Sequence, residues 1–389
     1  MLSKNILFNN FSKNYKNEKI NKIFNRLKKD FLNNKPNMLD SLSKNYKYNY
    51  NKKLIHKYKK FKNFNLIGVG GSILGAKTIY KFLNYKIKKK FFFVDNLKSK
   101  LNSNEKRKVV NLIISKSGNT LETISNSNIL IKNKKNIFIV EKNNNYLNNL
   151  ANKISAEVIE HKNYIGGRYS VLSEVGMLPA ELMGLSEKKF KSLNYLIKNK
   201  SFINNLVQNV ADTINFLKNK KHLSVILNYD NNSENLFSWY QQLIAESLGK
   251  KSKGILPLVS TMPKDNHSLM QFYLDGPKKS FYTFFSVLEK NTEKIDNKYL
   301  LKSHSYLKNK NLSKIINSQI IGTQNIFKRK KIPFRSFEII KKNEESLGEI
   351  FCFFILETIL LGRALKVNPF DQPSVELVKK ETKKILLRN

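Results

Sequence analysis

Apolar runs at 64–69, 91–95, 109–115 and 137–140 alternate with amphipathic stretches of helical spacing. Short apolar runs bounded by loops predict buried strands, and strands alternating with helices imply a mainly parallel sheet covered on both faces. Beyond a glycine-bearing loop near Gly166 the alternation resumes at 223–228, 255–260, 281–288 and 332–337, which predicts a second α/β unit of the same style. The segment 189–221 has a helical pattern and joins the two. The longest apolar run, 350–361, is interrupted by Glu357 and falls short of the roughly 20 residues that span a bilayer, so it predicts a buried helix. Residues 371–387 read as a terminal helix with Asp371 as its cap and Pro373 in its first turn. The first 60 residues are rich in Lys and Asn with apolar pairs such as Ile23-Phe24, a pattern that predicts helices lying on a larger body. Residues 98–108 and 141–149 read as solvated loops. The expected division is an N-terminal helical segment 1–60, a first α/β domain 61–188, a second α/β domain 189–365 and a C-terminal helix 366–389.

A chain of 389 residues with 41% hydrophobic residues can bury a substantial core. Its one cysteine, Cys352, excludes an intramolecular disulfide and a cysteine-based zinc site, and fits a reducing cytoplasm. Residues 1–16 hold no continuous apolar stretch of signal-peptide type, so export is not expected. The net charge of +42 would ordinarily suggest nucleic acid or an anionic membrane. The excess is nearly all lysine, however, scattered along the chain as AT-biased codons would leave it. With arginine, the usual reader of bases, sparse, neither nucleic acid nor a membrane is expected as a partner. The five histidines lack ligand spacing, so no metal is expected, nor any other cofactor.

Chemistry concentrates where glycine does. Gly68-Val69-Gly70-Gly71-Ser72 and Ser115-Lys116-Ser117-Gly118-Asn119-Thr120 both follow strand-like runs and lead into helix-like sequence. Glycine admits a close ligand, and a helix N-terminus offers unpaired N–H groups to an anion. Hydroxyls of Ser115, Ser117, Thr120 and Thr123 converge where a phosphate would sit; a Ser/Thr-rich helix cap makes the same pattern without a ligand. The first cluster departs from the dinucleotide spacing G-x-G-x-x-G, which disfavours a nucleotide. On the stretch 239–248, Trp239, Leu243 and Glu246 share one helical stripe, so Glu246 is carried inward near the helix C-terminus as a general-base candidate. Pairing with Lys250 or Lys251 is its bland alternative. His267, beside Asp265, suits proton shuttling or plain capping. Lys379 borders an inward stripe of Val375, Val378, Thr382 and Ile385, while Lys380 is expected to pair outward with Glu376; a snorkelling stem explains Lys379 equally well. Arg168 follows two glycines and suits either an anionic intermediate or an interdomain salt bridge.

These stretches, in this order, resemble the glucose-6-phosphate isomerase family, also called phosphoglucose isomerase. The resemblance is carried by GVGGSILG at 68–75, SKSGNTLET at 115–123, GGRYSVLSEVGMLP at 166–179, ESLGK at 246–250, DNHSLMQ at 265–271 and NPFDQPSVELVK at 368–379. It implies two sugar-isomerase (SIS) α/β domains, and a homodimer with sites at domain and subunit junctions. Its site residues match Ser115, Lys116, Ser117, Thr120 and Thr123 for the phosphate, Gly71, Ser72 and Gln372 for the sugar, and Glu246 as the base between C2 and C1. His267, reaching from the neighbouring subunit, would open the ring, Lys379 would assist at the ring oxygen, and Arg168 would face the enediolate. The implied activity is reversible isomerisation of glucose 6-phosphate and fructose 6-phosphate in glycolysis and gluconeogenesis. A bifunctional phosphoglucose/phosphomannose isomerase and a non-catalytic sugar-phosphate-binding protein are the alternatives.

Overall fold

The computed structural model describes every residue except 12–14, 33–36, 99–108, 133–134, 290 and 389, so the loop expected at 98–108 lies almost wholly outside the described residues. The strands are β1 (Ile6–Asn9), β2 (Asn63–Ile67), β3 (Lys90–Val94), β4 (Val109–Ile114), β5 (Asn136–Val140), β6 (Glu157–Glu160), β7 (Leu223–Asn228), β8 (Leu256–Thr261), β9 (Ser280–Val287) and β10 (Phe334–Ile339). Around them lie α1 (Glu18–Leu32), α2 (Lys52–Lys59), α3 (Leu74–Phe82), α4 (Leu121–Leu130), α5 (Tyr146–Lys153), α6 (Glu174–Met183), α7 (Leu193–Leu196), α8 (Lys200–Lys218), α9 (Glu234–Leu248), α10 (Met270–Asp275), α11 (Leu312–Arg329), α12 (Glu344–Leu365) and α13 (Pro373–Leu386).

Two five-stranded sheets result. The first runs β3-β2-β4-β5-β6 with every pair parallel. The second runs β1-β10-β9-β7-β8, parallel except for β1, which lies antiparallel to β10. Leaving β1 aside, both place the strand that comes first in the chain (β2 or β7) between the second and the third. This order creates a crevice beyond the strand C-termini where the two inner strands send their connections to opposite faces.

Side-chain alternation along the strands divides the core. In β4, Val110, Leu112 and Ile114 enter the large central cluster, whereas Ile113 faces outward against Leu147 and Ala151 of α5. In β9, Phe281 and Phe285 face the centre, and Tyr282 and Phe284 pack outward with Phe327 of α11. Filling the centre is α12, in which every residue from Leu347 to Gly362 is buried. A helix apolar on all sides is stable only when surrounded, as the run 350–361 implied. No helix is long and apolar enough to cross a membrane among the described residues.

Several elements differ from the sequence expectation. Residues 6–9 form a strand, with Ile6 and Phe8 buried and Leu7 and Asn9 exposed, where only helices were expected. Four residues are too few for their alternation to stand out. Strand β6 was missed because two of its four residues are glutamates, a composition suited to a sheet edge. Helix α5 takes the second half of the expected loop 141–149. Gln372, not Asp371, is the N-cap of α13, which has no buried residue; of the expected inward stripe, Val375, Val378 and Ile385 are exposed and Thr382 is half-buried.

Candidate active site

Both glycine-bearing loops open from the crevice of the first sheet. Gly68-Val69-Gly70-Gly71-Ser72 leaves β2 and enters α3, and the segment 115–120 leaves β4 and enters α4. Two helix N-termini therefore flank the point where the strand order reverses. The loops leave the sheet side by side: a Cβ on Gly68 would lie 2.8 Å from the carbonyl oxygen of Ile114, the last residue of β4.

The second loop is folded on itself. Ser115 and Thr120 hydroxyls lie 3.0 Å apart, the Asn119 amide donates to Ser117 Oγ at 3.3 Å, and Gly118 holds a positive φ of 66°. Thr120 is the N-cap of α4 but makes no side-chain cap, and the buried Thr123 hydroxyl has no hydrogen-bond partner. These polar groups and the α4 N-terminus form a cradle for an anion. Lys116 leans to its rim, donating to the Asn163 carbonyl at 2.7 Å with Glu141 3.5 Å away.

The first loop presses on the segment that carries Arg168. A Cβ on Gly71 would meet the Gly167 carbonyl at 2.3 Å, so only glycine allows this approach. Arg168 is buried, and all of its N–H donors are occupied: Nε by Ser247 Oγ at 2.7 Å, Nη1 by Glu246 Oε1 at 3.0 Å and Gln372 Oε1 at 2.9 Å, and Nη2 by the Pro369 and Asp371 carbonyls at 2.7 and 3.0 Å. Trp239 Nε1 donates to the Arg168 carbonyl at 3.1 Å. Of the two readings weighed for this arginine, a salt bridge is present, and its partner is Glu246 on α9, which follows β7 of the second sheet.

Glu246, in the last turn of α9, is half-buried, with its side chain 22% exposed. Its second oxygen accepts a hydrogen bond from Gln242 Nε2 at 2.9 Å. Gln242 lies against the first loop, 2.7 Å from where a Cβ on Gly70 would be, and its own Oε1 is buried without a partner. The first glycine loop is therefore linked through Gln242 to Glu246. Neither Lys250 nor Lys251 pairs with this carboxylate; Lys250 bonds Asp371 at 2.7 Å and the Asn368 carbonyl.

Sequence reasoning missed Gln242, Ser247 and the 368–371 carbonyls. Gln242 had a readable signal, lying one helical turn before Glu246, whereas main-chain carbonyls leave none. Two expected residues are not gathered. His267 is exposed, with no side-chain hydrogen bond or ion pair among the described residues; the neighbouring Asp265 carboxylate instead binds Thr261 N at 2.7 Å, Ser260 and Ser268. Lys379 is exposed on α13 and pairs with Glu376 at 2.7 Å, the partner expected for Lys380.

Twin doubly wound sheets, with a polar loop and helix N-termini at a crevice beside an arginine-held carboxylate, define the two-domain sugar-phosphate isomerase class of α/β proteins. Solved structures share the fold: a hypothetical protein from Thermus thermophilus superposes with a TM-score of 0.81 at 22% identity, covering 95% of this chain and 96% of that one. A glucose-6-phosphate isomerase from Chlamydia trachomatis gives 0.72 at 18% identity, covering 86% and 71%. Within that class the chain belongs to the phosphoglucose isomerase family, whose model matches residues 52–388. It is 32% identical to a probable glucose-6-phosphate isomerase of Methanococcus maripaludis, covering 94% of this chain and 87% of the relative. With the glucose-6-phosphate isomerase of Mycoplasmopsis pulmonis it shares 33% identity over 82% of each.

Proposed function

We propose that this enzyme interconverts glucose 6-phosphate and fructose 6-phosphate, with Glu246 moving a proton between C2 and C1. The carrying observation is the Glu246 carboxylate, fixed by Arg168 and Gln242 at the edge of the crevice that also holds the Ser/Thr cradle. The substrate phosphate binds Ser115, Ser117, Thr120 and Thr123 at the α4 N-terminus, with Lys116 at the rim. Gly71, Ser72 and Gln372 line the sugar. Phosphate contacts remote from the reacting carbons place C2–H against the carboxylate. One carboxylate then removes the C2 proton and returns it to C1 on the same face of a cis-enediolate. Because every Arg168 N–H is already taken, its support for the enediolate is mainly through its charge.

Ring opening requires a proton donor at the ring oxygen, and His267 supplies it from a second copy of the chain. Leu269 and Phe272, 39% and 53% exposed beside His267, support burial of that face in a homodimer. Gln372, the N-cap of α13, touches Arg168, so Lys379 lies about 10 Å further along the helix. Docking of α13 on the assembled dimer brings its ammonium to the ring oxygen. The single buried cysteine suits a cytoplasmic site of action.

A coupled assay of purified protein with fructose 6-phosphate and mannose 6-phosphate, run with a chelator, tests activity, breadth and metal independence together. Glu246→Gln is expected to abolish turnover while sugar-phosphate binding, followed by calorimetry, survives. Substantial turnover in that variant removes Glu246 from its role; binding without turnover in the unaltered protein favours a non-catalytic sugar-phosphate-binding protein.

A further inference from the structure

A buried polar hub joins α8, α9, α12, β9 and β10 and takes no part in the chemistry above. Arg335 on β10 is 1% exposed. Its Nε donates to Thr283 Oγ1 of β9 at 2.9 Å and its Nη1 to Asn209 Oδ1 of α8 at 2.7 Å. Nη1 also pairs with Glu357 of α12, and Nη2 donates to the Tyr240 hydroxyl of α9 at 3.2 Å. The hub closes on itself, because Asn209 Nδ2 donates to Glu357 Oε1 at 2.6 Å and Tyr240 donates to Glu357 Oε2 at 3.3 Å.

A buried ion pair contributes little net stability over an apolar replacement of similar volume, but its hydrogen bonds admit few geometries. Here they join the two helices whose ends close on Arg168. Tyr240 and Ser247 are seven residues apart, on one stripe of α9. Ser247 accepts from Arg168, and Glu246 is its neighbour. From the other side, α12 ends at Lys366 in a left-handed conformation and runs into Pro369, Asp371 and Gln372, which hold the rest of the guanidinium. A roll of α9 by about 20° would carry a carboxylate some 6 Å from the helix axis through about 2 Å. Displacements of that size are decisive for a proton transfer.

We propose that Arg335 is a positioning residue for the isomerase reaction, locking α9 to α12 through Tyr240 and Glu357 so that Glu246 meets the sugar at the angle proton abstraction needs. This rests on the reading of Glu246 as the base. The decisive variant is Tyr240→Phe, which removes one hydroxyl and keeps the ring that packs on Phe354 at 4.3 Å. Arg335→Lys accompanies it, and Ile320→Ala, in the outer cluster of the second sheet, serves as a control for lost stability alone. For each, kcat, KM, the thermal midpoint and the primary isotope effect with C2-deuterated glucose 6-phosphate are measured.

Tyr240→Phe is expected to lower kcat about tenfold with KM within about twofold, and to raise the isotope effect as proton abstraction becomes more rate-limiting. Arg335→Lys is expected to do the same more strongly; if it fails to fold, Tyr240→Phe decides alone. A lowered midpoint with kcat and isotope effect unchanged, matching Ile320→Ala, overturns the proposal. Glu246→Gln separates the two failures: if it is inactive while Tyr240→Phe behaves as the unaltered protein, only the hub falls, and if it is active, the base assignment falls and the hub with it.

Discussion

Arg168 donates all five of its N–H groups to protein acceptors, and those acceptors come from two separate stretches of chain, 246–247 and 369–372. Lysine has three donors and no planar fork, so it cannot serve Ser247, Glu246, Gln372 and two carbonyls together. Arg168→Lys is expected to lower kcat about 10²- to 10³-fold, the scale of losing a preorganised charge, and to destabilise the fold by about 2 kcal/mol in urea unfolding. Steady-state kinetics alongside denaturation separates the two effects. His161 provides a different test beside the Ser/Thr loop. It is buried, and desolvation foremost, with Lys116 adding to it, pushes its pKa down from 6.5 to about 4. Between those values the unfolded chain binds the extra proton, so stability falls as pH drops through that window, by about 3 kcal/mol in total. Urea unfolding from pH 7 to pH 4 is expected to show this acid limb, and His161→Phe to flatten it.

Among the elements, α13 stands apart. It has no buried residue, and Leu377 and Val378 are each more than two-thirds exposed. A helix that buries nothing contributes little to the stability of its own chain. Deleting residues 373–389 is expected to leave the thermal midpoint within about 3 °C while turnover falls about 10²-fold, through loss of Lys379 and of the docked helix. A large drop in midpoint would instead mean that the helix supports its own body. Helix α12 is the opposite case. Its apolar run announced burial, but nothing in that run said that Glu357, which interrupts it, would receive Arg335 from a strand.

At the scale of the whole molecule, the incomplete gathering of His267 defines a test of assembly. Neither Glu246→Gln nor His267→Ala alone is expected to turn over substrate. Co-refolded, half of the dimers are mixed, and each mixed dimer has one intact site if the histidine crosses the interface, so about a quarter of full activity is expected to return. No recovery above the two parents in the coupled assay would place the histidine in its own subunit's site or deny the dimer.

The alternating apolar runs carried the two parallel sheets, since eight of the ten strands follow signals read directly from hydrophobic pattern. The glycine loops were legible for a similar reason: a close backbone approach leaves glycine as its mark, as at Gly71 against Gly167. Short edge elements such as Ile6–Asn9 were not, because four residues joined to a strand more than 320 positions away have no local signature. The sequence by itself determined the inner strands of both sheets, which helix would be buried and which residue types could do acid-base work. Tertiary structure alone decided that Arg168, and not Lys250 or Lys251, holds Glu246, that Gln242 bridges it to the glycine loop, and that Lys379 and His267 stand outside the pocket of a single chain. Pattern records how each segment meets water, whereas partnership depends on which segments the fold brings within hydrogen-bonding reach.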